Sequence, residues 1–118
     1  MINKLLIMIL FFSSYVVANT DCRSIDEKAQ EKATHFDSTD NGYTVIGKDR
    51  SYFYTAPSQD CRHKQLFIIP GDKVNAYLDY NGYYYVIYLN KNGQQVEGWV
   101  KQKQLQPNDT GVAPKLTN

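Results

Sequence analysis

Hydrophobic and polar positions alternate most regularly across residues 71–105, GDKVNAYLDYNGYYYVIYLNKNGQQVEGWVKQKQL, where three strand-like stretches are separated by Asn/Gly turns. Val74, Ala76 and Leu78 alternate with Asn75, Tyr77 and Asp79, the period-2 pattern of a half-buried strand. Asn81-Gly82 supplies the positive φ angles of a tight hairpin. On the returning strand Tyr84, Val86 and Tyr88 share one face, and Tyr83, Tyr85 and Ile87 share the other. The chain turns again at 90–93, and 95–100 forms a further strand in which Gly98 marks a bulge or a close backbone approach. Leu105, one helical turn later, is placed to fold back as a core plug.

Upstream the period changes. Ile25, Ala29, Ala33 and Phe36 recur at helical spacing within 21–36, and Ser24 followed by Glu27 reads as a capping box. Asp26 and Glu27 are expected in the first turn, where the helix dipole favours acids. The apolar stripe is narrow, so the helix is expected to dock on a sheet. A turn cluster at 37–42 ends it. Short strands follow at 43–46, 51–57 and 65–69, with a polar loop at 58–64 between the last two. Residues 106–118, with two prolines and no periodic apolar face, read as a flexible tail. An Asn108-Asp109-Thr110 sequon falls in it.

The first eighteen residues change the compartment. Lys4, the apolar run 5–12, and Val16 and Ala18 at the −3 and −1 positions make a secretory leader with cleavage after Ala18. The run is shorter than the roughly 20 residues of a membrane span, so a periplasmic or secreted protein is expected, without membrane insertion after cleavage. The expected organisation is a leader (1–18), a helix and turn (19–42), a β-barrel (43–105) and a tail (106–118). In an oxidising compartment Cys22 and Cys61, the only two cysteines, are expected to form one disulfide. The formal charge of +1 falls to zero when Lys4 leaves with the leader. No cluster of Lys and Arg is present to neutralise phosphates, which argues against a nucleic-acid partner.

The barrel segment carries a resemblance. Gly71-Asp72-Lys73-Val74, then Asn81-Gly82-Tyr83 leading to Val86, then Gly98-Trp99-Val100 and Leu105, resemble the bacterial SH3-like domain family over about 51–105. The resemblance implies a mainly β fold, a five-stranded, partly open barrel, here with an N-terminal helix tethered by the disulfide. It also implies binding of peptidoglycan, peptide segments or other proteins, and small exported members look like inhibitors or immunity proteins. The 118 residues leave no room for the hydrolase that often accompanies wall-binding members.

Catalytic chemistry is not legible. Cys61 and His63 superficially suggest a thiol with a base, but a disulfide would consume the nucleophile. The two cysteines and two histidines lack the short paired spacings of a zinc site. No phosphate-cradling glycine loop or serine elbow occurs. The expectation is therefore a noncatalytic protein without metal or cofactor. Tyrosine is abundant, ten in all with one (Tyr15) in the leader. Tyr84, Tyr88 and Trp99 are expected to fill the barrel. Tyr77, Tyr83 and Tyr85, in the opposite register, are expected to be exposed interface anchors, and either Tyr52 or Tyr54 is expected to face outward. Arg62 and Lys64 on the cysteine loop are the expected polar specificity contacts. The expected partner is a protein, a toxin or wall hydrolase; peptidoglycan and an envelope complex are the alternatives.

Overall fold

The computed structural model describes residues 21–37 and 39–111; the expected leader and residues 112–118 of the expected tail lie outside these. One helix, α1 (Cys22–Lys32), precedes eight strands. These are β1 (Thr34–His35), β2 (Gly42–Val45), β3 (Ser51–Tyr54), β4 (Arg62–Ile68), β5 (Lys73–Tyr80), β6 (Tyr83–Leu89), β7 (Gln95–Lys101) and β8 (Leu105–Pro107). Short 3₁₀ turns at Gln59–Cys61 and Gln102–Gln104 lead into β4 and β8. The strands form one curled antiparallel half-barrel in the order β4-β3-β7-β6-β5-β2-β8, and β1 also pairs with β5. The mainly β, barrel-like architecture and the Cys22–Cys61 disulfide stand as expected, the latter with Cα atoms 5.8 Å apart.

Eight strands replace the expected five. Two of the additions are short and lie where the sequence reads as helix and tail. β1 forms because the chain leaving α1 runs beside β5, pairing Thr34 with Asp79 and His35 with Leu78. β8 forms because Leu105, buried after its 3₁₀ turn, brings Gln106 and Pro107 alongside Thr44 and Tyr43. The expected tail is therefore ordered structure at its start. Asn108 and Thr110 exchange backbone hydrogen bonds with Gly42, whose missing Cβ leaves the room they occupy. The sequon amide is engaged as well, since Asn108 Nδ2 donates to Thr44 Oγ1 at 3.0 Å.

The helix begins earlier than the expected capping box. Asp21, not Ser24, is the cap, and its carboxylate accepts the Ser24 N–H at 3.2 Å. The first turn consequently holds no acid. Ala29 and Ala33 are buried as the stripe requires, whereas Phe36 lies beyond the helix. Its ring packs edge-on to Tyr84 (5.1 Å between centroids) and Tyr43 (5.9 Å).

The hairpin at Asn81-Gly82 forms as the sequence predicts, with φ of 53° and 87°. Gly98 is the close approach and not a bulge: β6 and β7 pair without interruption from Tyr83–Lys101 to Leu89–Gln95. A Cβ there would stand 2.9 Å from the Phe53 ring. The bulge lies instead in β5, between Ala76 and Leu78. The Tyr77 carbonyl it frees accepts the Phe36 N–H, and buried Asn41 donates its side-chain amide to the Ala76 carbonyl.

That one extra residue divides the apolar residues between two cores. Val74, Ala76, Val86, Val100 and Phe53 fill the inside of the half-barrel, with Tyr84 and Tyr88 packed against them. Leu78, displaced by the bulge, joins Trp99, Tyr83 and Tyr54 in a second core with Ala29 and Ala33 of the helix region. Two sequence expectations are corrected here. Leu78 does not share a face with Val74 and Ala76, and Trp99 does not fill the barrel with Tyr84 and Tyr88.

Burial leaves a titration signature. The Tyr43 phenol, on the inner side, is pushed up to about 12 by burial first and by its hydrogen bond with Tyr84 second. The Tyr85 phenol, on the helix side, is pushed to about 12 by burial and then by the charges of Glu97 and Asp26. Both folded-state values lie above the ordinary 10.0, so the neutral phenols contribute their full stability below pH 10. That contribution is lost as pH rises from 10 towards 12. Tyrosinate absorbance is expected to show a late-ionising class, and the melting temperature is expected to fall across the same window. Uniform ionisation near the ordinary value in the folded protein would contradict the burial of Tyr43 and the partial burial of Tyr85.

Candidate functional site

The second core decides which aromatics are free to meet a partner. Tyr83 is only 7% exposed, and its ring lies 5.1 Å from Tyr54. Tyr85 is half-buried, edge-on to Trp99 at 5.3 Å. Tyr77 is half-buried at the β5 bulge and packs against the same cluster. The expectation of an exposed surface anchor is therefore corrected for Tyr83, whereas Tyr77 and Tyr85 keep part of their surface exposed. The register of all three is opposite to the barrel interior, as read, but the second core covers part of the face they occupy. Trp99, fully buried, is tied to the helix by its indole N–H, which donates to Asp26 Oδ1 at 2.7 Å.

The polar candidates behave differently. Arg62 and Lys64 are both exposed, but they lie in β4 and not on a loop. The pairing of β4 with β3 jumps from Tyr52–Phe67 to Tyr54–Arg62, so 63–66 bulge out opposite a single residue. His63 sits at the start of this bulge and holds it closed. Its Nδ1 accepts the backbone N–H groups of Gln65 (3.1 Å) and Leu66 (3.0 Å). The ring nitrogen that could have served as a base is thus occupied, and the Cys61 thiol is held in the disulfide.

The register brings together four side chains that the sequence keeps apart. Arg50, two residues before Tyr52, falls on the same face of the hairpin. Its guanidinium carbon rests 4.3 Å from the Phe67 ring centre, and Phe67 lies 5.5 Å from Tyr52. The Arg62 guanidinium carbon rests 4.2 Å from the Tyr52 ring centre. The two rings pack on one another between two cations in a ladder, Arg50–Phe67–Tyr52–Arg62, with both arginines exposed and both rings half-buried. Arg50 Nη1 also donates to the Tyr52 hydroxyl at 3.5 Å. That bond, more than the charges of the two arginines, holds the Tyr52 phenol below its usual value against a push from burial. Of the ladder, only Arg62 was singled out from sequence, with Tyr52 named as one of two outward candidates. Arg50 was readable from its spacing to Tyr52; Phe67 was not, because its position depends on the bulge.

Beside the ladder, a cleft of about 240 Å³ opens between α1 and the β4 bulge. Phe53 and Leu66 give it apolar walls, while Asp26, Glu97 and Tyr85 give it a negative, hydrogen-bonding side. A broader depression of about 720 Å³ lies at the β5–β6 turn, around Gly82, Lys101 and Gln102. There the Gln102 amide is already committed to Asp79 Oδ1 (2.6 Å) and to the Tyr83 carbonyl (3.2 Å). The ladder and its cleft are the better-formed candidate, because ordered charges and rings converge on one exposed hairpin. Among the described residues, no group of three or more His, Cys, Asp or Glu side chains is placed to hold a metal, and no helix is long and apolar enough to cross a membrane. No protein-family model, curated protein or solved structure matches this chain.

Proposed function

We propose that this chain is an exported, noncatalytic binding protein built on an SH3-like half-barrel, and that it acts as an inhibitor or immunity protein against a cell-wall-directed toxin or hydrolase. The observation that carries the reading is the Arg50–Phe67–Tyr52–Arg62 ladder on the exposed β3–β4 hairpin. Stacked guanidinium groups and half-buried aromatic rings are the side chains that concentrate binding energy at protein interfaces. A disulfide beside the hairpin, at Cys61, suits an oxidising compartment such as the periplasm. The SH3-like assignment is supported by the 3₁₀ turn between β7 and β8 and by β2, which lies between β5 and β8.

Two parallel capture experiments test the function. The immobilised mature protein, incubated with periplasmic extract, is expected to retain a protein partner stoichiometrically. Sedimentation with purified wall sacculi is expected to leave it in the supernatant. Recovery with sacculi and no protein partner would replace the inhibitor reading with direct peptidoglycan binding.

A further inference from the structure

Resting on the reading of the chain as a binding protein, we infer that the Arg50–Phe67–Tyr52–Arg62 ladder is a carboxylate-recognition site for a short acidic segment of a protein partner. Stacking engages the faces of the two guanidinium groups. One Arg50 Nη1 donor is engaged by the Tyr52 hydroxyl, and a guanidinium carries five in-plane N–H donors, so others remain for the bidentate geometry that a carboxylate matches. The rings fix where those donors point, so less side-chain freedom is lost when an acid binds. Tyr52 and Phe67 keep part of their surface exposed, which gives the methylene groups of a glutamate an apolar footing.

The surroundings select the class of anion. A nucleic acid or another extended polyanion needs a run of cations, and the ladder offers two arginines in a protein of nearly balanced charge. Asp26 and Glu97 line the adjoining cleft and repel a polyanion continuing past Arg62. A protein segment with one or two acids fits this arrangement, with a basic or neutral residue towards the cleft. Recognition through the β4 edge is blocked by the same hairpin: the His63-capped bulge interrupts the strand, and Arg62 and Lys64 guard it. Side chains, not added backbone pairing, make the contact.

The test uses isotope-labelled mature protein and the capped peptide acetyl-Gly-Glu-Gly-Glu-Gly-amide. Its Gln counterpart and inorganic phosphate serve as separate titrants. The Nε–H resonances of Arg50 and Arg62 are expected to shift with the Glu peptide and to stay in place with the Gln peptide. Affinity is expected to fall about tenfold or more in the Arg50→Gln/Arg62→Gln double variant, by loss of charge-assisted hydrogen bonds. An Arg50→Lys/Arg62→Lys variant, which keeps charge but not the fork, is expected to lose most of the same affinity and controls for any loss of folding. Equal responses to the Glu and Gln peptides, a response to phosphate alone, or none at millimolar peptide would overturn the site. A captured partner that binds the double Gln variant as tightly as the wild type would also overturn it, while leaving the binding function intact. A Glu-specific response with no protein captured by either form would support the site and overturn the inhibitor reading.

Discussion

Replacing Cys22 and Cys61 together with serine is expected to lower the free energy of unfolding by about 4 kcal/mol, the loop-entropy value for a bridge of this span. The two cysteines are 39 positions apart, so the reduced, unfolded chain gains the freedom of a long loop. A domain of this size is held by roughly 5–15 kcal/mol, and the loss is a large share of that. The native state feels it as well. Helix α1 has 11 residues, too few to persist alone, and only Ala29 within it is fully buried. Without the tether, α1 is expected to leave the sheet before the half-barrel melts, uncovering Trp99. Non-reducing urea unfolding followed by both tryptophan fluorescence and circular dichroism checks this. The variant should show a lower midpoint and a fluorescence change that precedes the loss of strand signal. An unchanged midpoint would mean that the bridge neither restrains the unfolded chain nor holds the helix.

The parts of this architecture that were legible in sequence are those fixed by local chemistry. Asn81-Gly82 can do little in an alternating sequence except turn it, and both residues take positive φ as required. Gly98 was readable as a close approach because a strand interior gives up a side chain only for a reason, and Phe53 occupies the vacated space. The parts that were not legible depend on a choice made by tertiary contacts. Nothing in Val74-Asn75-Ala76-Tyr77-Leu78 announces a bulge, since the alternation runs unbroken through it. Its cause is distant: buried Asn41 and the chain around Phe36 take up the backbone groups that the bulge frees.

Period-2 reasoning separated Tyr83 and Tyr85 from Tyr84 and Val86 correctly, but it cannot say which face meets solvent. A docked helix buries the outer face, and the alanines at 29 and 33 allow close approach without advertising it. The candidate site shows the same limit. Arg62 was recognisable as an exposed cation, but its value comes from Tyr52 beneath it, and the adjoining Phe67 is brought there by the β3–β4 register. That register depends on a four-residue bulge capped by a histidine, which sequence presents only as a polar loop.

Trp99→Ala is expected to cost about 4 kcal/mol or more, combining the 3–5 kcal/mol of a buried Trp truncation with a lost hydrogen bond to a carboxylate. The indole is completely buried, pairs across the sheet with Tyr54 and stands edge-on to Tyr85. Its N–H is also the polar link between β7 and α1, through Asp26. The two contributions separate experimentally. Trp99→Phe keeps much of the packing and removes the donor, whereas Asp26→Ala removes the acceptor. A double-mutant cycle between them should give a coupling of about 1–3 kcal/mol, measured throughout by chemical unfolding with circular dichroism because the Trp99 variants lack the fluorophore. A truncation cost below about 1 kcal/mol would be that of a surface residue, and would remove Trp99 from the centre of the second core. The consequence reaches the candidate site. Trp99 backs Tyr54, and Tyr54 is paired with Arg62 at the end of the ladder. Loosening the indole is therefore expected to disorder the Arg62–Tyr52 stack first, through the strand that both cores share.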